Sequence, residues 1–381
     1  MKKANASKSK ATIVHISDTH LGFKAYRYLD KNTSLNQREL DNYNSFKKSV
    51  NKILEIKPIL VLHSGDLFDT TRPSNYTLDF AIEQFRRLTR AGIKVIVLAG
   101  NHSTPKISEQ SHIFKIFRHF ENIYPLFKGK YEHLQFDDIV IHAVSQSINE
   151  EIFANELKKV KKLTLPKKNK HILMLHGALS GFKEFSMSEF NELNIEPSVL
   201  REEFDYIALG HYHGKEKIKQ NCYYSGSIMP LTFSESDQEK GFLMIDLNTS
   251  SVKFEQIESR PLIDLPTVNA QDKEIEQIEE ELAKNIEKTP TGSVCRQIVI
   301  NLNAEDTVQI DKSLLNKLRS KCLHYQFDPK NKDEPDTQSL SESIGNLEQE
   351  FVNFLNKTDT KKKNIFQELG LNYLEKANET N

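Results

Sequence analysis

Several features that would indicate other classes of protein are scarce or missing in this 381-residue chain. The three cysteines are widely spaced and form no Cys-x-x-Cys pair: Cys222, Cys295 and Cys322. This usage argues against a thiolate zinc or iron–sulfur site and implies no disulfide framework. No apolar run approaches the length of a membrane span, and the basic stretch Met1 to Lys10 lacks a signal-peptide core. We therefore expect a soluble, cytoplasmic protein in a reduced compartment, with no membrane contact.

An excess of charge of one sign is also lacking. The 52 Lys and Arg residues balance 53 Asp and Glu residues, giving a net charge of -1. This balance argues against a generally basic DNA-coating protein, although local basic patches can exist within it. The stretch from Lys158 to Lys170 is rich in lysine. It is most simply a solvated helix end and loop, and the alternative is a patch that follows a phosphate backbone.

The sequence does contain several short apolar runs, each of which ends in a cluster of polar residues. Ile59 to His63 stops at Ser64-Gly65-Asp66, and such a run predicts a buried strand of a parallel sheet. Asp66 would then lie at the carboxyl end of the strand, where open α/β sheets bind ligands. Four other strand-like runs end in similar clusters: Asp18-Thr19-His20, Gly100-Asn101-His102, His176 and Gly210-His211-Tyr212-His213.

The periodicity of apolar residues predicts an α/β fold followed by smaller parts. From Thr12 to about Asp205, strand-like runs alternate with helical spacing, including helices over residues 40–56 and 76–88. After Asp205 the runs are short and β-like, at 223–227, 241–247 and 252–257, which suggests a second sheet stacked on the first.

The stretch Arg260-Pro261-Leu262 marks a predicted boundary. Beyond it, helical spacing at 275–286 and 314–318 and strand-like runs at 294–302 and 323–327 predict a small α+β unit. Residues 328–338 form a candidate linker. Two apolar stripes follow, which would either fold back or dock on a partner: Leu340, Ile344, Leu347, Phe351 and Leu355, then Ile365, Phe366, Leu369 and Leu374.

The polar clusters share nitrogen and oxygen ligand chemistry suited to Mn²⁺, Fe²⁺ or Zn²⁺. Each alone is uninformative, because a pair such as Asp18-x-His20 is more often a turn or a helix cap, but their joint position after strands predicts a metal site. Two-metal hydrolases hold their ions about 3.5–4 Å apart, so Asp66 is the candidate bridging carboxylate. Neutral Asn101 would add no charge to repel a phosphate. The remaining histidines are predicted to be structural or surface residues: His15, His63, His112, His119, His133, His142, His171 and His324.

These motifs together resemble the calcineurin-like metallophosphoesterases over roughly residues 12 to 260. The resemblance rests on Asp18-Thr19-His20-Leu21-Gly22, Gly65-Asp66-Leu67-Phe68-Asp69, Gly100-Asn101-His102, Leu175-His176-Gly177 and Gly210-His211-Tyr212-His213. Three further stretches resemble the SbcD-type DNA repair nucleases: Thr71-Arg72-Pro73-Ser74, Arg38-x-x-Asp41, and Tyr224-Ser225-Gly226-Ser227 followed by Pro230 and Glu235.

The resemblance implies an α/β fold of two stacked mixed β-sheets flanked by helices, with a small α+β capping domain and C-terminal helices. The implied division is a flexible basic N-terminus at 1–10, a nuclease domain at 11–261, a capping domain at 262–335 and a partner-binding helical segment at 336–381. It also implies two divalent metal ions, Mn²⁺ above all, with His102 as the catalytic group beside the phosphate. The implied ligands are Asp18, His20, Asp66, Asn101, His176, His211 and His213.

The function implied is a two-metal DNA exonuclease or endonuclease that acts at DNA ends in repair or defence. Lys24 and Arg72 would contact nucleic acid, an SbcC-type coiled-coil ATPase would be the partner, and a homodimer is possible. One alternative is a stand-alone phosphodiesterase or phosphatase on a non-DNA substrate. Protein phosphatases of the superfamily place an Arg after the second Asp of the Gly-Asp motif, whereas Thr70 follows Asp69 here. A scaffold without catalysis is disfavoured because all the ligand positions are filled.

Two positions depart from the pattern of many relatives. Asp69 stands where some relatives carry a second catalytic histidine, so proton transfer by two histidines is not expected. Ser103 follows Asn101-His102 where many relatives carry Asp, which leaves open what orients His102.

Overall fold

The computed structural model describes residues 11–105, 111–182 and 192–330, together with residues 355, 363, 367, 369 and 370. The chain divides into two compact units, Met1–Lys330 and Asn331–Asn381. Of the predicted terminal stripes, only Leu355 and Leu369 are described, and both are helical, with Leu355 buried and Leu369 exposed. The other stripe residues, and the predicted N-terminal segment 1–10, lie outside the described residues: Leu340, Ile344, Leu347, Phe351, Ile365, Phe366 and Leu374.

In the first unit, strands and helices succeed one another up to about residue 176, and strands predominate from there to residue 269. Its α-helices are α1 Gln37–Ile56, α2 Asn75–Arg90, α3 Glu150–Lys161, α4 Ile275–Glu287, α5 Ala304–Gln309 and α6 Lys312–Lys321. Its strands are β1 Thr12–Ile16, β2 Leu60–His63, β3 Lys94–Leu98, β4 Ile123–Leu126, β5 Tyr131–Phe136, β6 Ile139–Val144, β7 Lys170–His176, β8 Ala178–Leu179, β9 Asn194–Ile195, β10 Tyr206–Gly210, β11 Glu216–Lys219, β12 Cys222–Tyr224, β13 Gly241–Asp246, β14 Ser251–Gln256, β15 Leu262–Asp264, β16 Val268–Asn269, β17 Val294–Ile300 and β18 His324–Lys330. Short 3₁₀ helices cover Ile113–His119, Pro197–Val199 and Phe233–Glu235.

Helix starts follow from capping side chains in the sequence. The side chain of Asn36 accepts hydrogen bonds from the main-chain N–H groups of Arg38 and Glu39 at the start of α1. Ser74, the last residue of the Thr71–Ser74 motif, accepts from the N–H of Thr77 at the start of α2. These caps satisfy main-chain donors that no helical carbonyl can reach, so both helices begin within a few residues of where their spacing predicts.

Two six-stranded sheets form the body of the unit, in the strand orders β14-β13-β1-β2-β3-β4 and β11-β12-β10-β7-β6-β5. Both are mixed, because parallel inner strands carry antiparallel strands at one or both edges. One core lies between the sheets and contains Ile13 and Leu62 from the first and Ile172 and Ala208 from the second. Helices α1 and α2 pack on the outer face of the first sheet, and α3 on that of the second. The predicted fold of two stacked mixed sheets is confirmed.

The membership of the second sheet differs from the sequence-based expectation. Strands β13 and β14 were expected in a second sheet after Asp205, but β13 pairs antiparallel with β1, Ile13 opposite Ile245, and completes the first sheet. The second sheet instead begins at β5 and takes only β10, β11 and β12 from this region. The expectation was wrong because short apolar runs show that a strand is buried, not which strand it pairs with.

Residues 262–330 form a third sheet with their own core. Strand β17 pairs in parallel with β15, β16 and β18, and α4 and α6 cover it through Leu282 and Leu318. The predicted helices and strands of this segment are present. However, β18 extends to Lys330, so the candidate linker cannot begin at residue 328. That this segment, from residue 262 to 335, is a separate capping domain stays a prediction.

Among the residues that the structure describes, no helix has the length and apolarity to cross a membrane. The three cysteines are free thiols with buried side chains.

Candidate metal centre

The carboxyl ends of five parallel strands meet at one edge of the two sheets. Strands β1, β2 and β3 of the first sheet are followed by Asp18 and His20, by Asp66, and by Asn101 and His102. Strands β7 and β10 of the second sheet end at His176 and just before His211 and His213. All of these side chains are buried except that of His102, which is partly exposed. The structure therefore brings together every predicted ligand.

The main chain at this edge adopts conformations that non-glycine residues rarely take. The φ angles are 50° at Asp18, 43° at His20, 49° at Asp66 and 106° at His211. Such left-handed conformations cost free energy and persist where the surrounding structure requires them, which is often at functional sites. Gly100 allows the close approach of two strand ends, because a side chain there would collide with the carboxylate of Asp66.

Asp18, His20 and His213 form the first donor group, with ligand atoms that all lie within 4.8 Å of one another. The Nε2 atoms of His20 and His213 are 3.1 Å apart. Their other ring nitrogens face carboxylates, since His213 Nδ1 lies 3.0 Å from Glu235 Oε1 and His20 Nδ1 lies 3.3 Å from Asp69 Oδ1. A carboxylate behind a histidine fixes the proton on Nδ1 and turns Nε2 toward a cation.

Asp66, His176 and His211 form the second donor group, again with ligand atoms within 4.8 Å of one another. His176 Nδ1 donates to the main-chain oxygen of Ser64 at 3.0 Å. His176 Nε2 lies 2.9 Å from Asn101 Oδ1 and 3.1 Å from Asp66 Oδ2. The predicted amide and carboxylate oxygens therefore converge on the inward nitrogen of this histidine.

Two buried carboxylates of the site stay ionised in spite of burial. Burial acts to raise the pKa of Asp66, but His176 beside it outweighs this and holds the pKa well below its ordinary range. Burial likewise acts to raise the pKa of Glu235, and His213 and Lys240 hold that pKa well below its ordinary range. Burial acts to lower the pKa of His176, but the neighbouring Asp66 outweighs this and raises that pKa to about 9.

This donor set fits divalent cations. It consists of imidazole nitrogens, carboxylate oxygens and one amide oxygen. The outward ring nitrogens of His176 and His213 are hydrogen-bonded to oxygens, and that of His20 faces the carboxylate of Asp69. Asp66 belongs to the second group only, while its Oδ1 also accepts from the N–H of His102 at 3.0 Å. Its bridging role and the full ligand set stay predictions.

His102 lies at the rim of both groups. Its Nδ1 is 2.9 Å from the main-chain oxygen of Asp69, and its ring centroid is 4.6 Å from that of His20. Because a carbonyl oxygen can only accept, Nδ1 carries the proton and Nε2 is the nitrogen that can exchange one with a substrate. The carbonyl of Asp69 thus holds Nδ1 of His102, while the hydroxyl of Ser103 has no hydrogen-bond partner among the described residues.

Four residues near the metal centre were not among the predicted ligands. Asp69 joins His20 and His102 in a third cluster of possible donors. Glu192 Oε2 lies 3.2 Å from Nε2 of His211, and nothing local in the sequence pointed to it. Glu235 and Lys240 support His213 from behind, and Glu235 had a signal, because it closes the third motif that resembles the repair nucleases.

The two predicted nucleic-acid contacts, Lys24 and Arg72, are both exposed, and Lys24 Nζ lies 3.5 Å from a carboxylate oxygen of Glu39. Their role in binding nucleic acid stays a prediction.

The other histidines have structural or surface positions, as expected. His15 contacts the hydroxyl groups of Tyr206 and Ser64 at 2.8 and 2.7 Å, and His142 contacts His171 at 3.0 Å. His119 and His133 are exposed.

Comparison with known proteins identifies the class to which this fold and site belong. The family model for the calcineurin-like phosphoesterases matches residues 11–215, and the chain belongs to that family. Within it, the chain is 33% identical over 281 residues to the DNA double-strand break repair protein Mre11 of Methanocaldococcus jannaschii, covering 68% of this chain and 69% of that protein. Mre11 of Sulfurisphaera tokodaii is 29% identical, with coverages of 91% and 88%, and Mre11 of Sulfolobus acidocaldarius is 26% identical, with coverages of 83% and 81%. The predicted family resemblance is confirmed.

Proposed function

We propose that this protein is a two-metal DNA nuclease that hydrolyses phosphodiester bonds at DNA ends in DNA repair. The observation that carries the proposal is the pair of buried donor groups at one sheet edge with His102 at their rim. The relatives named for DNA double-strand break repair support DNA as the substrate.

We infer that Asp18, His20 and His213 would hold one cation. Four other residues would hold the second cation: Asp66, Asn101, His176 and His211. We further infer that Asp66 bridges the two. Mn²⁺ suits this mixture of imidazole and oxygen donors. When bound, two divalent cations supply positive charge that neutralises the phosphate and lowers the pKa of an attacking water.

The chain's own groups then position the reaction and move a proton. His102 is fixed by the Asp69 carbonyl at Nδ1, so Nε2 protonates the leaving oxygen or stabilises the transition state. Asn101 contributes an oxygen without charge, and thus does not repel the phosphate. Burial of the ligand side chains strengthens their electrostatic effect, because little water screens it.

The remaining interactions of the proposal lie at the protein surface and at the C-terminus. Lys24 and Arg72 contact the DNA backbone, which their exposure and charge permit. An SbcC-type coiled-coil ATPase docks on residues 336–381, and the protein works in the cytoplasm. The apolar stripe from Leu340 to Leu355 is the sequence feature that supports docking.

A substrate comparison tests the activity. Purified protein with Mn²⁺ is given labelled linear duplex, covalently closed circular DNA and bis(p-nitrophenyl) phosphate in parallel. We expect degradation of the linear duplex from its ends, none without Mn²⁺, and none with Asp66→Asn. His119→Asn, which alters an exposed histidine outside the site, is the matched control and should keep full activity.

The alternative, a phosphodiesterase or phosphatase for another substrate, predicts a different pattern. Cleavage of the generic phosphodiester by a protein that leaves linear duplex intact would overturn the DNA nuclease proposal. Full activity of Asp66→Asn with normal metal content would overturn the role of Asp66.

A further inference from the structure

The short turn Phe233–Glu235 supports a metal-ligand candidate from behind. Glu235 is only 2% exposed, and its Oε1 lies 3.0 Å from Nδ1 of His213. Lys240 Nζ contacts Glu235 Oε2 at 2.6 Å and also donates to the main-chain oxygen of His213 at 2.8 Å. Glu235 therefore contacts the ring of His213 directly and its main-chain oxygen through Lys240, and the N–H of Ser227 also donates to that oxygen at 3.0 Å.

The opposite end of the same turn is covered by the segment 262–330. Phe233 is 8% exposed and packs with Leu262 of β15 and Val294 of β17. The guanidinium of Arg296 lies 4.7 Å from the centre of the Phe233 ring. Asp264 holds Arg296 in that position through two contacts of 2.7 Å.

The turn thus joins a contact of the segment 262–330 to a contact of His213. Phe233 and Glu235 are two residues apart in a single 3₁₀ turn, so a displacement of one moves the other. The loop before the turn is fixed separately, because the buried guanidinium of Arg38 donates to the main-chain oxygen of Pro230. Phe233 is accordingly a point at which the segment 262–330 can influence Glu235.

We propose that the segment 262–330 positions His213 for metal binding through the Phe233–Glu235 turn, with Phe233 and Arg296 as positioning residues. This inference rests on the proposed role of His213 as a ligand. Its physical basis is that orientation of a ligand by its outer neighbours typically changes metal affinity by about 10- to 100-fold. A simple packing role for Phe233 would instead change stability alone.

The test compares three variants of the full chain with the original protein. Phe233→Ala removes the ring, and Arg296→Gln removes the cation above it without opening the core. Phe127→Ala is the matched control, since the guanidinium of Arg118 also lies 4.7 Å from that ring but the pair is outside this turn. The measurements are Mn²⁺ affinity by calorimetry, melting temperature, and the ¹⁵N and ¹H resonances of the His213 imidazole in metal-free protein.

We expect Phe233→Ala to weaken Mn²⁺ binding at one site by about 10-fold and Arg296→Gln by about 3-fold, within or below the range for outer neighbours of a ligand. Both should shift the His213 Nδ1–H resonance. Phe127→Ala should lower the melting temperature and leave Mn²⁺ affinity and that resonance unchanged. Phe233→Leu should restore most of the affinity, because it refills the space against Leu262 and Val294.

Two results would overturn the inference. One is a Phe233→Ala protein that melts earlier but binds Mn²⁺ as tightly as the original, with an unchanged His213 resonance. The other is an equal loss of affinity in Phe127→Ala. Failure of the proposed function is distinguishable from both, because it appears as intact linear duplex with the original protein, whereas Mn²⁺ affinity and the His213 resonance report the coupling whatever the substrate is.

Discussion

The main-chain oxygen of Asp69 lies 2.9 Å from Nδ1 of His102, while the carboxylate of the same residue lies 3.3 Å from Nδ1 of His20. One residue thus orients the candidate catalytic histidine with its backbone and a candidate metal ligand with its side chain. Because a substitution removes only the side chain, the two roles can be separated by experiment.

Replacing His102 should slow turnover without emptying the metal site. We expect His102→Ala to lower kcat by about 10²–10⁴-fold, the usual range for the loss of an acid–base group. Metal content, measured on the same samples, should stay near that of the original protein. The exposed His119, changed to Ala, is the control. Loss of metal in proportion to activity would make His102 a ligand instead.

Replacing Asp69 should weaken metal binding and leave turnover at saturating metal nearly unchanged. Asp69→Ala removes the carboxylate facing His20 but keeps the carbonyl that holds His102. We expect Mn²⁺ affinity to fall by about 10- to 100-fold, with kcat at saturating Mn²⁺ within a few-fold of the original. Titration of activity with Mn²⁺ gives both quantities. A large loss of kcat that saturating Mn²⁺ does not restore would show that Asp69 itself transfers a proton.

Replacing Asp41 should destabilise the fold. Its carboxylate contacts the buried Arg38 at 3.3 Å and Arg260 at 2.6 and 3.0 Å. Asp41→Ala leaves the Arg38 guanidinium buried without its countercharge, so we expect a loss of about 3–5 kcal/mol in the free energy of unfolding. Urea titration measures this loss.

The control for Asp41 is Glu203→Ala, which removes an ion pair with Arg201 whose acidic side chain is 62% exposed. A surface pair of this kind contributes at most about 1 kcal/mol. Similar losses in the two variants would contradict the role of Asp41 as the countercharge of a buried arginine.

Acid should destabilise the metal-free protein partly through His112. Burial lowers the pKa of His112 to about 4, and its Nδ1 accepts a hydrogen bond from the N–H of Phe114 at 3.1 Å. Between an unfolded pKa of about 6.5 and the folded value, the unfolded chain binds a proton that the folded chain does not. Stability is therefore complete above about pH 6.5 and falls as the pH drops toward the folded pKa.

His112→Asn keeps a capping acceptor but cannot titrate in this range. We expect the loss of unfolding free energy between pH 7.5 and 4.5, measured with chelator present, to be smaller by about 2 kcal/mol in this variant. His119→Asn should lose as much as the original protein, since His119 is exposed. An equal loss in all three proteins would show that His112 takes up its proton as readily when folded as when unfolded.

The sequence determined the inner strands and the ligand types of the centre. Each apolar run before Asp66, Asn101, His176 and His211 is a buried strand, because apolar side chains must leave water in any fold of this chain. Since parallel strands of one sheet end at a common edge, the polar residues after β1, β2 and β3 had to meet, and the stacking of the second sheet brings His176 and His211 to them. The spacing of these residues was enough to find the family.

Only the tertiary structure decided the groups that stand behind the ligands. Asp69 and Glu235 both belong to motifs that resemble the family, but no local pattern places them behind His20 and His213, because segments distant in sequence bring them there. Pairing of β13 with β1 is of the same kind, since a buried strand carries no mark of its partner. The local sequence indicates which side chains are buried, whereas long-range packing determines the partner of each buried polar atom.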